Sequence, residues 1–212
     1  MAPDPVSHIG IIDYGMGNLG SVTNACRFLD LSAAIVSTPA QMDACSALIL
    51  PGVGAFGDCM QHLEEHGFTD PLRRWIAADR PLLGICLGLQ VLFEGSEESP
   101  GVPGLGVLPG TIRRFRLPTG YKVPLIGWSR VQQRQPECPL FRDIPDETYF
   151  YFVHSYYADA ATADFAAGLT AYGVPYASAI ARGRLMAVQF HPEKSQRHGL
   201  HLLKNFADWG AR

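Results

Sequence analysis

Five residues at a strand-to-helix turn carry the sharpest chemical signal in the chain. Gly84-Ile85-Cys86-Leu87-Gly88 is the nucleophile-elbow pattern G-x-S-x-G with cysteine in place of serine. Small residues on both flanks permit a turn tight enough to push the thiol out above the C-terminal edge of a sheet. The helix that follows would present its first amides to the sulfur, with the Leu87 N–H aimed where an oxyanion would form. The loop Pro51-Gly52-Val53-Gly54, after a neighbouring strand, can bring a second N–H to the same point. A thiol nucleophile needs a base, and the base needs an orienting acid. His191-Pro192-Glu193, at the end of the last apolar strand, offers both, with Pro192 stiffening the turn. Strand ends of a parallel sheet converge on one edge, so His191 can meet Cys86 there. Alone, the elbow could hold a merely buried cysteine, and His-Pro-Glu could be an exposed turn. Together they indicate acyl transfer through a thioester.

Two other patterns compete for attention. Gly15-Met16-Gly17-Asn18-Leu19-Gly20 satisfies G-x-G-x-x-G between a strand and a helix. A dinucleotide site would also want an acid or an arginine at the end of the next strand, which instead reads Val36-Ser37-Thr38. A tight strand–helix turn is the better account. His62-Leu63-Glu64-Glu65-His66 matches the H-x-x-E-H of a metallopeptidase class, but Gly67 follows at once and places it in a last helical turn. Histidines are favoured there by the helix dipole without any metal. No metal and no cofactor is expected.

The elements that must position these residues are consistent with the chemistry. The chain has 212 residues, enough for one sizeable core. A net charge of −3 argues against a nucleic-acid or anionic-membrane surface. No apolar run approaches the roughly 20 residues of a membrane span, and the N-terminus carries no signal region. The five cysteines, Cys26, Cys45, Cys59, Cys86 and Cys138, are odd in number and widely spaced, fitting neither a disulfide framework nor a zinc site. A soluble cytoplasmic protein is expected.

Short apolar strands at His8–Asp13, Ala33–Ser37, Ala47–Leu50 and Leu82–Ile85 alternate with helices at Asn18–Asp30, Gly57–His66, Thr69–Asp79 and Leu87–Gly95. Asn18 is a candidate N-cap, Pro51-Gly52 should stop the third strand, and Gly67 should close the second helix. Alternation of this kind implies a parallel sheet covered on both faces. After Ser96, prolines punctuate strand-like pieces such as Thr111–Phe115 and Tyr149–Val153, an antiparallel extension with hairpins. Leu185–Phe190 reads as the last strand, and Gln196–Trp209 as a terminal amphipathic helix. The fold class is α/β: a single domain with a mostly parallel central sheet, flanking helices and an antiparallel extension.

With those residues in place, a resemblance can be stated. Pro51-Gly52-Val53-Gly54, Gly84-Ile85-Cys86-Leu87-Gly88-Leu89-Gln90 and Gln189-Phe190-His191-Pro192-Glu193-Lys194-Ser195 resemble the three signature blocks of the class I, triad-type glutamine amidotransferases. Asp13-Tyr14-Gly15-Met16-Gly17-Asn18-Leu19, Tyr151-Phe152-Val153-His154-Ser155-Tyr156 and Gly127-Trp128 are similar to the glutaminase subunits of imidazole glycerol phosphate synthase. The resemblance runs from about residue 8 to the C-terminus. It implies a flavodoxin-like amidotransferase domain over 8–212, with residues 1–7 a disordered extension.

The resemblance further implies that Cys86 attacks the carboxamide of glutamine, His191 shuttles protons and Glu193 orients the ring. Gly52, Val53 and Leu87 would line the oxyanion region; Gln90, Glu98, Ser155 and Tyr156 match positions near the bound glutamine. Ammonia would pass to a (β/α)8-barrel cyclase, the heterodimer partner in histidine biosynthesis, with Asn18, Trp128, Tyr151 and Lys194 at or beside the interface. Pro124-Leu125-Ile126-Gly127-Trp128-Ser129 departs from the family's usual Pro-His-Met-Gly-Trp-Asn, which leaves the triad untouched. The competing readings are an amidotransferase subunit of another pathway, such as anthranilate or aminodeoxychorismate synthesis, an autonomous hydrolase of γ-glutamyl bonds, and a non-catalytic interaction protein. An ammonia donor working alone would waste glutamine, so the isolated chain is expected to be nearly inactive.

Overall fold

A computed structural model describes residues 8–161 and 163–210; the extension expected over 1–7 lies outside them. Strands β1 (Ile9–Ile12), β2 (Ala33–Val36), β3 (Ala47–Gly52) and β4 (Leu82–Cys86) alternate with helices α1 (Leu19–Phe28), α2 (Phe56–Glu65) and α3 (Thr69–Ala77). A one-turn helix α4 (Leu87–Gln90) follows β4 directly. Then come β5 (Gly95–Ser96), β6 (Thr111–Arg114), β7 (Leu125–Gln133), β8 (Thr148–His154), β9 (Tyr156–Ala158), β10 (Ala166–Tyr172), β11 (Val174–Arg182) and β12 (Leu185–Val188). Helix α5 (Gln196–Gly210) closes the chain.

The strands join in one sheet of order β2-β1-β3-β4-β12-β11-β10-β7-β8, with β5, β6 and β9 branching from it. From β2 to β12 all neighbours are parallel; from β11 onward they are antiparallel. The expected architecture is therefore observed. Period-2 side-chain alternation explains why both faces are covered. Leu48 and Leu50 enter one core with α2 and α3, whereas Ala47 and Ile49 enter the other with α1 and α5. Every residue of β1, β3, β4 and β12 is buried, the burial expected of strands sandwiched between helices. Helix α5 buries Gly199, Leu202, Leu203, Phe206 and Gly210, a stripe at three- and four-residue spacing.

Two local expectations need correction, and a third holds in position only. Strand β3 does not stop at Leu50: Pro51 and Gly52 pair with Ile85 and Cys86, because the C-terminal end of β3 stays in register with β4. The helix expected over Leu87–Gly95 is a single turn. The carbonyls of Val91, Leu92 and Phe93, which would continue a helix, instead accept from the amides of Leu105, Val107, Leu108 and Gly106. Asn18 sits at the N-cap position of α1 but makes no side-chain cap bond; its amide reaches a residue 175 positions away.

Register does the positioning. Gly52 lies opposite Cys86, and Val188 opposite Ile85. The C-terminal ends of β3, β4 and β12 thus form one edge, from which the Gly52–Gly54 loop, the elbow and the Gln189–Glu193 segment all emerge.

Candidate active site

The elbow is built by close approach. Cys86 has φ 56° and ψ −107°, a left-handed conformation that is costly for an L residue and concentrates at functional sites. A Cβ on Gly88 would lie 2.0 Å from the Leu50 carbonyl oxygen, and one on Gly84 would lie 2.6 Å from the Gly88 carbonyl. Gly88 is therefore required by backbone contact between α4 and β3, and Gly84 by backbone contact between β4 and α4. The turn leaves Cys86 lining a cavity of about 310 Å³, within the range of small-molecule sites.

His191 and Glu193 face the same place. Each side chain is 1% exposed, and His191 Nδ1 lies 2.8 Å from Glu193 Oε1. An imidazole nitrogen against a carboxylate donates, which fixes the tautomer and leaves Nε2 toward the sulfur. Nε2 is buried without a geometrically satisfied hydrogen bond in the described residues, and the Cys86 sulfur is near enough to act on its protonation. Burial alone would lower the His191 pKa. Interaction with Cys86 and then with Glu193 outweighs it and pushes the value up to about 10. The ring is thus held as an imidazolium wherever sulfur and carboxylate carry charge.

Supporting bonds hold this arrangement from several elements. Asn18 Nδ2 donates to the same Glu193 oxygen at 3.3 Å. Ser195 Oγ donates to the His191 carbonyl at 2.7 Å and accepts from the Tyr151 amide at 2.9 Å, tying the turn to β8. Tyr14, fully buried, donates its hydroxyl to the Pro51 carbonyl at 2.9 Å and accepts from the Cys59 thiol at 3.3 Å. It anchors the upstream end of the Gly52–Gly54 loop; Gly54, with φ 103°, supplies conformational freedom downstream.

The residues singled out from the sequence fall into two groups. Val53, Leu87, Gln90, Glu98, Ser155 and Tyr156 line the cavity with Cys86 and His191; Gly52 lies beneath it, against Leu87 and Tyr14. Glu98 also accepts from the Phe56 amide at 2.8 Å, at the start of α2. Trp128 and Tyr151, opposite each other on β7 and β8, make an edge-to-face pair at 6.0 Å, with Trp128 43% exposed. Lys194 is exposed, and Asn18 is half-buried against the triad acid. His62 and His66 stack beside the Gly15 turn, and among the described residues no group of three or more His, Cys, Asp or Glu could hold a metal ion.

Sequence reading assigned no role to Tyr14, Ser195, His154 or Gln189, although all lie within or beside the quoted blocks. Their contributions depend on which partners the folded chain brings to them, which no local spacing reveals. His154 is an example: buried, its Nδ1 is 2.7 Å from the Tyr156 carbonyl and its Nε2 3.2 Å from the Tyr176 hydroxyl. Burial pushes its pKa down to about 4. The unfolded imidazole titrates near 6.5, so the unfolded state alone takes up this proton between about 6.5 and 4. Stability should consequently fall as pH drops through that window, by roughly 3 kcal/mol from this group. Urea unfolding at pH 7 and pH 4.5 checks this: His154→Gln should lose less stability on acidification than the parent chain.

The likeness to known proteins agrees with this geometry. The family model "Glutamine amidotransferase class-I" matches residues 10–209. The chain is 50% identical over 201 residues to the imidazole glycerol phosphate synthase subunit HisH of Desulfitobacterium hafniense, covering 95% of this chain and 94% of the relative. It is 47% identical to the subunit HisH of Methylococcus capsulatus, covering 96% and 97%. Among solved structures it resembles one described as a glutamine amidotransferase (TM-score 0.74, 19% identity, 96% and 99% covered). It also resembles PurLQS from Thermotoga maritima (TM-score 0.75, 14% identity, 96% and 98% covered), a likeness of fold alone. With its elbow, its His–Glu pair and near-full-length identity of this order, the chain belongs to the class I glutamine amidotransferases and, within them, to the HisH subunits of imidazole glycerol phosphate synthase.

Proposed function

We propose that Cys86, His191 and Glu193 form the hydrolytic triad of this glutaminase subunit, within one amidotransferase domain over residues 8–212. The observation that carries this reading is that Cys86 and His191 line one cavity while Glu193 is buried against the His191 ring. The Cys86 thiolate attacks the side-chain carbonyl carbon of glutamine. The resulting oxyanion is met by backbone amides of the Gly52–Val53 region and of Leu87. His191 gives its proton to the departing nitrogen, which leaves as ammonia with a thioester remaining. His191 then takes a proton from water as the water oxygen adds to the thioester carbon; the adduct collapses, the C–S bond breaks with its electron pair returning to sulfur, and glutamate is released. Glu193 holds the ring in the required tautomer. Gln90, Glu98, Ser155 and Tyr156 hold the substrate.

Ammonia passes to a (β/α)8-barrel cyclase subunit, which forms imidazole glycerol phosphate and aminoimidazole carboxamide ribotide in the cytoplasm. Asn18, Trp128, Tyr151 and Lys194 lie at or beside that interface. Exposure of Ile126 (62%) and Trp128 on β7 supports a partner surface there. The Leu125, Ile126 and Ser129 departures fall on this strand.

Glutamate release from glutamine tests the reading, measured with the chain alone and then with a barrel cyclase and its nucleotide ligand. Basal activity should be low and should rise on the order of 10²–10³-fold in the mixture, the value of one oxyanion donor brought into place. High activity indifferent to the cyclase would move the chain to the autonomous hydrolases.

A further inference from the structure

We propose that Gln189 is a second catalytic partner of the Cys86 sulfur, its side-chain amide locked in the donating orientation by a buried relay through Gln90, Tyr156 and His154. The inference rests on the glutaminase reading for its chemistry, though not for its geometry.

Gln189 is fully buried, and its Nε2 lies 3.6 Å from Cys86 Sγ. A glutamine amide can be turned either way, so the assignment must come from its neighbours. The relay begins at a group with no choice. The Tyr156 carbonyl oxygen only accepts, and two side chains reach it: His154 Nδ1 at 2.7 Å and the Gln90 amide at 3.0 Å. Both must therefore donate, which fixes the Gln90 nitrogen toward Tyr156. The same nitrogen lies 3.0 Å from the Gln189 side chain, and its second N–H points there. Gln189 must answer with its oxygen, leaving its own N–H groups for the sulfur. A reversed Gln189 would set two amide nitrogens face to face and place a carbonyl oxygen against Cys86, where no solvent could compensate. The far end is closed as well: His154 donates through Nδ1, so its neutral ring accepts through Nε2 from the Tyr176 hydroxyl at 3.2 Å.

An N–H held against sulfur stabilises charge there without taking a proton. Proton transfers remain with His191. Gln189 acts when the sulfur is an anion, before attack and again when the C–S bond of the thioester breaks and its electron pair returns to sulfur. Gln90 and His154 are positioning residues for this contact, a task separate from any they have toward glutamine.

Alkylation of Cys86 by iodoacetamide at neutral pH tests the contact, followed on the full chain by peptide-resolved mass spectrometry. It requires no glutamine turnover, so failure of the glutaminase reading would leave it intact. The buried thiols of Cys26, Cys45, Cys59 and Cys138 report in the same spectra whether each variant stays folded. Gln189→Leu should slow Cys86 alkylation about tenfold, with the other four still protected. Gln90→Leu, which frees Gln189 to turn, should slow it several-fold and add nothing in the Gln189→Leu background. An unchanged Cys86 rate in a folded Gln189→Leu chain would overturn the proposal. If that variant exposes the other cysteines, Gln90→Leu decides: an unchanged Cys86 rate there overturns the relay, and a slowed one supports it.

Discussion

A Cys86→Ser chain is expected to fold, bind glutamine and release no measurable glutamate. The substitution keeps the size of the side chain and leaves the positive-φ turn in place, since the Gly84 and Gly88 contacts that force it are unchanged. Urea unfolding should therefore shift by less than about 1 kcal/mol. Chemistry should not survive. A serine hydroxyl is far less acidic than a thiol, so it must lose its proton to His191 within the reaction itself, and no pre-formed anion is there to attack. Removing the nucleophile of a triad typically costs on the order of 10⁴–10⁶ in rate. The comparison is glutamate release with cyclase and nucleotide ligand present, parent against variant. Retention of more than a hundredth of parental activity would place the nucleophile elsewhere.

The second large effect is on the fold itself. Gly88→Ala is expected to destabilise the chain by about 4 kcal/mol or more, because the new methyl would sit 2.0 Å from the Leu50 carbonyl oxygen. The obstacle is backbone of the adjacent strand, so no side-chain rotation relieves it. Either β3 and β4 separate or the elbow opens, and in both cases Cys86 leaves the site. Gly20→Ala provides the contrast. Gly20 lies in α1, exposed, with nothing within 4 Å of an added Cβ. There the same methyl should stabilise the chain by about 0.4–1 kcal/mol through helix propensity and a less flexible unfolded state. Urea midpoints for the two variants should move in opposite directions. Similar small shifts for both would mean that the elbow tolerates a Cβ.

Gly20 and Gly88 show how far residue type alone can be trusted. Both stand in the first turn of a helix that follows a glycine-containing strand end. One is required by close approach and the other is merely permitted, and nothing in the flanking residues separates them. Elements with strong apolar runs, such as Ile9–Ile12 and Leu82–Cys86, were legible because both of their faces are buried. The helix expected after Cys86 was not. Its apolar run suits a buried helix, but its free carbonyls are taken by the amides of residues 105–108, partners remote from any local pattern.

The sequence by itself determined the chemistry available. A cysteine between two small residues, a histidine followed at i+2 by a carboxylate, and glycines where backbones must approach are properties of short segments. The order of apolar strands then sent the ends of those segments to one edge. Only the tertiary structure decided which groups meet across that edge. Asn18 finds Glu193 across 175 residues, Gln90 finds Gln189 across 99, and the Tyr14 hydroxyl takes the Pro51 carbonyl rather than solvent. Hydrogen bonds need donor and acceptor placed to within a few tenths of an ångström. That placement is a property of strand register and packing, where a small shift exchanges one partner for another, and so it becomes defined only once the sheet has closed.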